Sequence, residues 1–87
     1  MPQTARPRYF GRMKHELDAT GLLCPLPVLK ARKRLQVLAP GDILHVRTDD
    51  PAAVVDIPHF CAEQGHALHD DGAEGATHRW RIVKAGA

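Results

Sequence analysis

The residues best equipped for chemistry are Cys24 and the two prolines that follow it, in the run Gly21-Leu22-Leu23-Cys24-Pro25-Leu26-Pro27. Proline is tolerated in the first turn of a helix, where backbone N–H groups have no intrahelical partner, and is costly further in. The run therefore predicts a helix that is just starting, with Gly21 breaking the strand before it. A cysteine at such a junction meets free N–H groups and the positive end of the helix dipole, both of which favour an anion. The thiolate is the reactive form of cysteine, so a depressed thiol pKa and substantial thiolate at neutral pH are expected at Cys24. Pro25 and Pro27 stiffen the turn but donate no N–H, leaving Leu26 and Val28 as the expected donors toward the sulfur. An isolated cysteine is more often a small buried apolar side chain. The flanking prolines favour the reactive reading for Cys24, whereas Cys61, beside Phe60 on an apolar helix face, takes the structural one.

The partners that would turn this thiol into a hydrolase or a redox enzyme are missing from the sequence pattern. No His-Asp or His-Glu pair is evidently placed for a triad, and no second cysteine lies near enough to resolve a disulfide. There is no Gly-rich phosphate loop. Six histidines are present, but their spacing does not suit a metal. His66 and His69 on a strand would point to opposite faces, and His59 and Cys61 on a helix would not face each other. No metal and no cofactor are expected. A lone activated thiol on a small scaffold suits a carrier that accepts a group and hands it on.

The elements that must position Cys24 follow from periodicity. Met13, His15, Leu17 and Ala19 alternate with Lys14, Glu16 and Asp18, which predicts a short strand. A helix is predicted from about Pro25 to Leu38, with Val28, Ala31, Leu35 and Leu38 on its core stripe and Leu26, Leu29 and Val37 outside it, beside Lys30 and Lys33. Pro40-Gly41 closes that helix. Asp42 to Thr48 reads as a second strand, with Leu44 and Val46 inward. Asp50-Pro51 reads as an N-cap and first helical residue. The second helix is predicted to reach about Gln64 with Val54, Ile57, Phe60 and Cys61 toward the core, to be kinked or split near Asp56 by Pro58, and to end at Gly65. His66–His69 and His78–Lys84 read as final strands joined by a polar loop, Asp70–Thr77, with Trp80 and Ile82 inward. The order βαβαββ predicts a two-layer α/β (α+β) sandwich: a four-stranded mixed sheet with two helices on one face.

Eighty-seven residues of ordinary composition, 44% hydrophobic and 25% charged, predict a single domain over residues 13–85. Residues 1–12, with two prolines and three arginines, are expected to form a basic disordered tail, with Tyr9 and Phe10 able to fold back. No apolar run approaches the roughly 20 residues of a membrane span, and the basic N-terminus leads into no apolar segment of a secretory signal. Two cysteines 37 positions apart make no disulfide framework, so a reducing cytoplasm is expected; the chain is also expected to be a monomer. Charge is uneven. Residues 1–34 hold eight Lys/Arg against Glu16 and Asp18, while residues 35–87 hold four against eight Asp/Glu. Lys30, Lys33 and Arg34, with Leu26 and Leu29 near Cys24, are the candidate partner-docking residues.

Leu17-Asp18-Ala19-Thr20-Gly21-Leu22-Leu23-Cys24-Pro25-Leu26-Pro27 resembles the signature of the TusA/SirA-like sulfur carrier proteins, with Cys-Pro-x-Pro at the start of the first helix. The likeness continues through Pro40-Gly41-Asp42, Thr48-Asp49-Asp50-Pro51-Ala52, Asp56-Ile57-Pro58-His59-Phe60-Cys61 and Gly65-His66, spanning about residues 15–84. The resemblance implies a βαβαββ fold and a motif cysteine, here Cys24, supported by Gly21, Pro25 and Pro27. That cysteine would carry sulfane sulfur as a persulfide, from a cysteine desulfurase or rhodanese-type donor to an acceptor protein. The destinations it implies are 2-thiolation of tRNA wobble uridine, cofactor sulfuration or sulfur oxidation. Asp-Ile-Pro-x-Phe-Cys favours the TusA branch, whose members often carry Glu where this chain has Leu26. On this reading the chain is an enzyme only in the sense of a sulfurtransferase.

Two other classes compete. A small α/β sandwich with basic segments can bind RNA, but no aromatic stacking pair falls on a predicted strand face, and direct nucleic-acid binding is not expected. A non-catalytic SirA-like regulatory protein that binds a partner without sulfur transfer is the other, and the intact Cys-Pro-x-Pro argues against it.

Overall fold

The structure, a computed structural model, describes residues 15–86. The expected basic tail over 1–12 and the strand positions Met13 and Lys14 lie outside the described residues. Six elements follow in order: β1 (His15–Ala19), α1 (Leu26–Gln36), β2 (Ile43–Thr48), α2 (Ala53–Gln64), β3 (Ala67–Glu74) and β4 (Thr77–Val83). The strands form one sheet in the order β1-β2-β4-β3. β1 and β2 are parallel, with Leu17 opposite Val46 and Ala19 opposite Thr48. β4 runs antiparallel to both β2 and β3. This is the expected mixed sheet and two-helix layer.

Strand alternation selects the face that the helices cover. Leu17 and Ala19 of β1, Leu44 and Val46 of β2, and Trp80 and Ile82 of β4 are buried together. The helices answer with Ala31 and Leu35 from α1 and Ala53, Ile57, Phe60 and Cys61 from α2, while Val28 and Leu38 pack at the margin. Thr48 is buried on the same face. Its hydroxyl accepts a 3.1 Å hydrogen bond from the Trp80 indole N–H, so neither polar group is left unpaired in the core.

Several sequence expectations are corrected. The segment read as a loop, Asp70–Thr77, is mostly strand: β3 continues to Glu74, and only Gly75 and Ala76 separate it from β4. β3 lies at the sheet edge and is exposed over nearly its whole length. An edge strand carries charged residues without penalty, which hides its alternation. A register shift between Asp70 and Ala73 breaks the period further. The Asp70 carboxylate stabilises this irregularity by accepting from the Gly72 N–H at 2.8 Å and pairing with His78 Nε2 at 2.6 Å.

Pro58 neither splits nor ends α2, which runs unbroken from Ala53 to Gln64. The lost N–H would have bonded the carbonyl of Val54, and Val54 is exposed rather than in the core as expected. Water can therefore solvate the freed carbonyl. A turn of i→i+3 bonds, Ala53 N–H to Asp50 C=O (2.9 Å) and Val54 N–H to Pro51 C=O (3.2 Å), leads into the helix. Asp50 does accept the Ala52 N–H at 3.1 Å, but the regular helix starts after Ala52. α1 starts at Leu26 rather than Pro25 and stops at Gln36, short of Leu38.

Candidate functional site

Parallel pairing of β1 and β2 brings together the loops that leave their C-terminal ends, and the site is built from those two loops. Gly21, at φ 81°, turns the chain out of β1 through a conformation that costs most residues. The Gly21 N–H donates to Asp49 Oδ1 at 2.9 Å, and the Cys24 N–H donates to Asp50 Oδ2 at 2.6 Å. Two carboxylates from the β2–α2 loop thus fix the position of the cysteine turn. The Cys24–Pro25 peptide bond is cis. Pro25 is the N-cap residue of α1, and Pro27 lies within its first two positions, where a missing N–H breaks no helical bond. Gly21, Pro25 and Pro27 of the expected motif are all in this turn.

The Cys24 thiol is exposed and free, and Cys61 is free and buried. Burial pushes the Cys61 thiol up to about 11, which leaves it protonated at neutral pH. Cys24 Sγ donates to Asp56 Oδ2 at 2.8 Å. That hydrogen bond, with partial desolvation and the charges of Asp56 and Asp50, holds the Cys24 thiol above its ordinary value.

The expected depression of the Cys24 pKa is thereby reversed, for two structural reasons. Cys24 precedes the N-cap, outside the first turn of α1, and the Leu26 N–H bonds the Leu23 carbonyl at 2.8 Å instead of pointing at sulfur. The nearest charged groups are carboxylates, brought from another element. A hydrogen bond from the neutral thiol to a carboxylate favours the protonated form.

Cys24 opens onto a groove of about 300 Å³ between α1 and α2, bordered by Leu29 and Arg32 of α1 and by His59, Phe60 and Glu63 of α2. Of the candidate docking residues, Leu29 borders this groove and Leu26 is exposed just outside it. Lys30 and Lys33 are exposed on the flank of α1, away from the groove lining. Arg34 is committed elsewhere: its guanidinium donates to the Glu16 carbonyl of β1 at 2.7 Å. Arg32 is the α1 cation that borders the groove.

Sequence reasoning missed Asp49, Asp50 and Asp56 as groups acting on the cysteine turn. The signal was present in the segments Thr48–Ala52 and Asp56–Cys61, but no spacing rule links a residue near position 50 to one at position 24. Leu23, Val54 and Val55 are exposed apolar residues, the first in the loop before α1 and the other two in the first turn of α2.

The helix-free face of the sheet has a different character. Arg47 pairs with Asp18 at 3.3 Å, Arg79 with Glu74, and Arg81 with Asp71 through two bonds of 2.8 and 3.0 Å. The described Phe60 and Trp80 are both buried, so among the described residues neither side chain offers its ring to this face. No helix among the described residues is long and apolar enough to cross a membrane.

The comparisons with known proteins bear on both fold and site. A SirA-like protein from Desulfitobacterium hafniense has a crystal structure that superposes with a TM-score of 0.72, covering 84% of this chain and 99% of that one at 23% identity. That likeness establishes the fold. The sequence itself matches the family model of the sulfurtransferase TusA over residues 15–84. Because that match runs from the first residue of β1 to the residue after β4 and includes the Cys24 turn, the chain belongs to the TusA sulfurtransferase family.

Proposed function

We propose that the protein is a sulfur carrier whose Cys24 accepts sulfane sulfur as a persulfide and relays it to a second protein. The observation that carries this reading is the disposition of the two thiols: Cys24 is exposed at the mouth of an open groove, and Cys61 is buried. In loading, Cys24 sulfur attacks the outer sulfur of a donor persulfide and the donor leaves as a thiol. In delivery, an acceptor thiolate attacks the outer sulfur now on Cys24. Both are thiol exchanges governed by ionisation and access. An open, shallow surface around the sulfur suits attack by another protein in each step.

Within that reading, the donor is a cysteine desulfurase or a rhodanese-type protein, and the acceptor belongs to tRNA thiolation, cofactor sulfuration or sulfur oxidation. The Asp56–Cys61 segment favours the TusA branch, and a cytoplasmic monomer fits the free thiols. Leu26, Leu29, Lys30, Lys33 and Arg32 are the residues we assign to partner docking. The test is to incubate the protein with a cysteine desulfurase and cysteine and to measure intact mass without reductant. Gain of one sulfur atom, removed by reductant and absent in Cys24→Ser, is the expected result. Sulfur found on Cys61, or no adduct with any persulfide donor, overturns the reading and leaves the regulatory, non-carrier alternative. Salt-sensitive RNA retention that survives in Cys24→Ser would point to the nucleic-acid class instead. The pairing of Arg47, Arg79 and Arg81 with carboxylates on the outer sheet face argues against it.

A further inference from the structure

The thiol–carboxylate contact bears on which way sulfur moves. Cys24 Sγ donates to Asp56 Oδ2 at 2.8 Å, and the backbone N–H of the same residue donates to Asp50 Oδ2 at 2.6 Å, which holds the cysteine turn where its thiol reaches α2. The groups facing it come from three elements. The β2–α2 loop contributes Asp50, α2 contributes Asp56, His59 and Glu63, and α1 contributes Arg32. His59 Nε2 lies 3.3 Å from Glu63 Oε2 beside the groove. The two carboxylates bonded to Cys24 remain the decisive charges.

Only one of the two states of Cys24 can use this arrangement. A free thiol donates its proton to Asp56. A persulfide has no proton on its inner sulfur, so that bond is lost on loading. Its outer sulfur is more acidic than a thiol and carries negative charge beside the same carboxylates, which is unfavourable.

We propose that Asp56 gives the relay its direction by favouring the discharged thiol of Cys24 over the loaded persulfide, so that Cys24 hands sulfur on readily and stores it poorly. This inference rests on the sulfur-carrier reading. Delivery conserves atoms and electrons. The acceptor thiolate supplies the electron pair of the new S–S bond to the outer sulfur. The Sγ–S bond breaks with its pair left on Sγ, which takes up one proton from solvent and donates it to Asp56. The outer sulfur, protonated from solvent before it is attacked, leaves on the acceptor as that protein's persulfide, and no external oxidant or reductant is consumed.

The experiment equilibrates wild type and Asp56→Asn with glutathione persulfide and glutathione at fixed ratios, reads the loaded fraction by intact mass, and records the pH profile of iodoacetamide alkylation for each. Asp56→Asn is expected to hold several-fold more persulfide at equal donor ratio. It is also expected to be alkylated several-fold faster at neutral pH, with its profile moved to lower pH. Asp56→Glu should return both readouts toward wild type, which a mere loss of folding would not do. If both proteins load and the ratios agree, or the variant loads less, the role of Asp56 is overturned and the carrier reading stands. If wild type takes up no sulfur at all, the carrier reading itself falls, and this inference with it.

Discussion

At the scale of single residues, the carboxylates around Cys24 divide the work. Asp50 uses one oxygen for the Cys24 N–H and the other for the Ala52 N–H, so it joins the cysteine turn to the start of α2. Asp50→Ala is expected to lower stability by about 1–2 kcal/mol, the usual net cost of removing a hydrogen-bond acceptor whose donors are left unpaired. It should also slow sulfur loading, because the turn is no longer fixed. Asp50→Asn keeps one acceptor oxygen and should lose less. Urea unfolding together with the mass-based loading assay separates the two effects. An Asp50→Ala protein that loads at the wild-type rate would show that the turn holds itself in place. None of this could be read from Cys-Pro-x-Pro alone. The motif identifies a junction cysteine, but the sign of the pKa shift depends on a side chain 32 residues further on.

At the scale of elements, α2 shows how local rules combine. Its end is fixed by Gly65 at φ 78°, with the His66 N–H returning to the Cys61 carbonyl at 2.9 Å, a closure that needs a left-handed residue. A Cβ built at Gly65 meets no neighbouring atom within 4 Å, so Gly65→Ala isolates the backbone cost. A loss of about 1–2 kcal/mol is expected in thermal or denaturant unfolding. No loss would mean that the helix end relaxes to another closure. Ile57, fully buried on the core side of α2, tests packing instead. Ile57→Ala should cost about 2–5 kcal/mol, while Val54→Ala, at an exposed site, should cost far less. The alternation of β1, β2 and β4 and the Gly65 end of α2 were legible in the sequence, while the starts of both helices and the end of α1 were placed only to within about two residues. The extent of β3 was not, because an exposed edge strand does not separate its two faces by hydrophobicity.

At the scale of the whole molecule, the C-terminal residues close the sheet against the helices. Lys84 donates through Nζ to the Leu35 carbonyl of α1 at 2.5 Å, and the Ala85 N–H donates to His66 Nδ1 at 2.8 Å. That bond requires an unprotonated Nδ1, and desolvation followed by the Lys84 charge lowers the His66 pKa below 6.5. A depressed histidine pKa means that the unfolded chain takes up the proton first as pH falls. Its contribution to stability is therefore present above the unfolded value and lost below it. Denaturant midpoints are expected to fall from about pH 7.5 to about pH 5.5, and His66→Gln should flatten that slope. An unchanged slope in the variant would assign the pH dependence to other groups.

What the sequence determined by itself was whatever depends on neighbours along the chain. Proline spacing marks the start of α1, alternation marks the buried faces of three strands, and Gly65 marks the end of α2. Together with the run of family-like segments, these placed Cys24 at a strand-to-helix junction in a βαβαββ sandwich. Only the tertiary structure decided the electrostatics of that cysteine. Parallel pairing of β1 with β2 sets the Asp49-Asp50 loop against the Cys24 turn and brings α2, with Asp56, to the sulfur. The field at a side chain is a sum over groups close in space, and folding alone determines which distant residues those are.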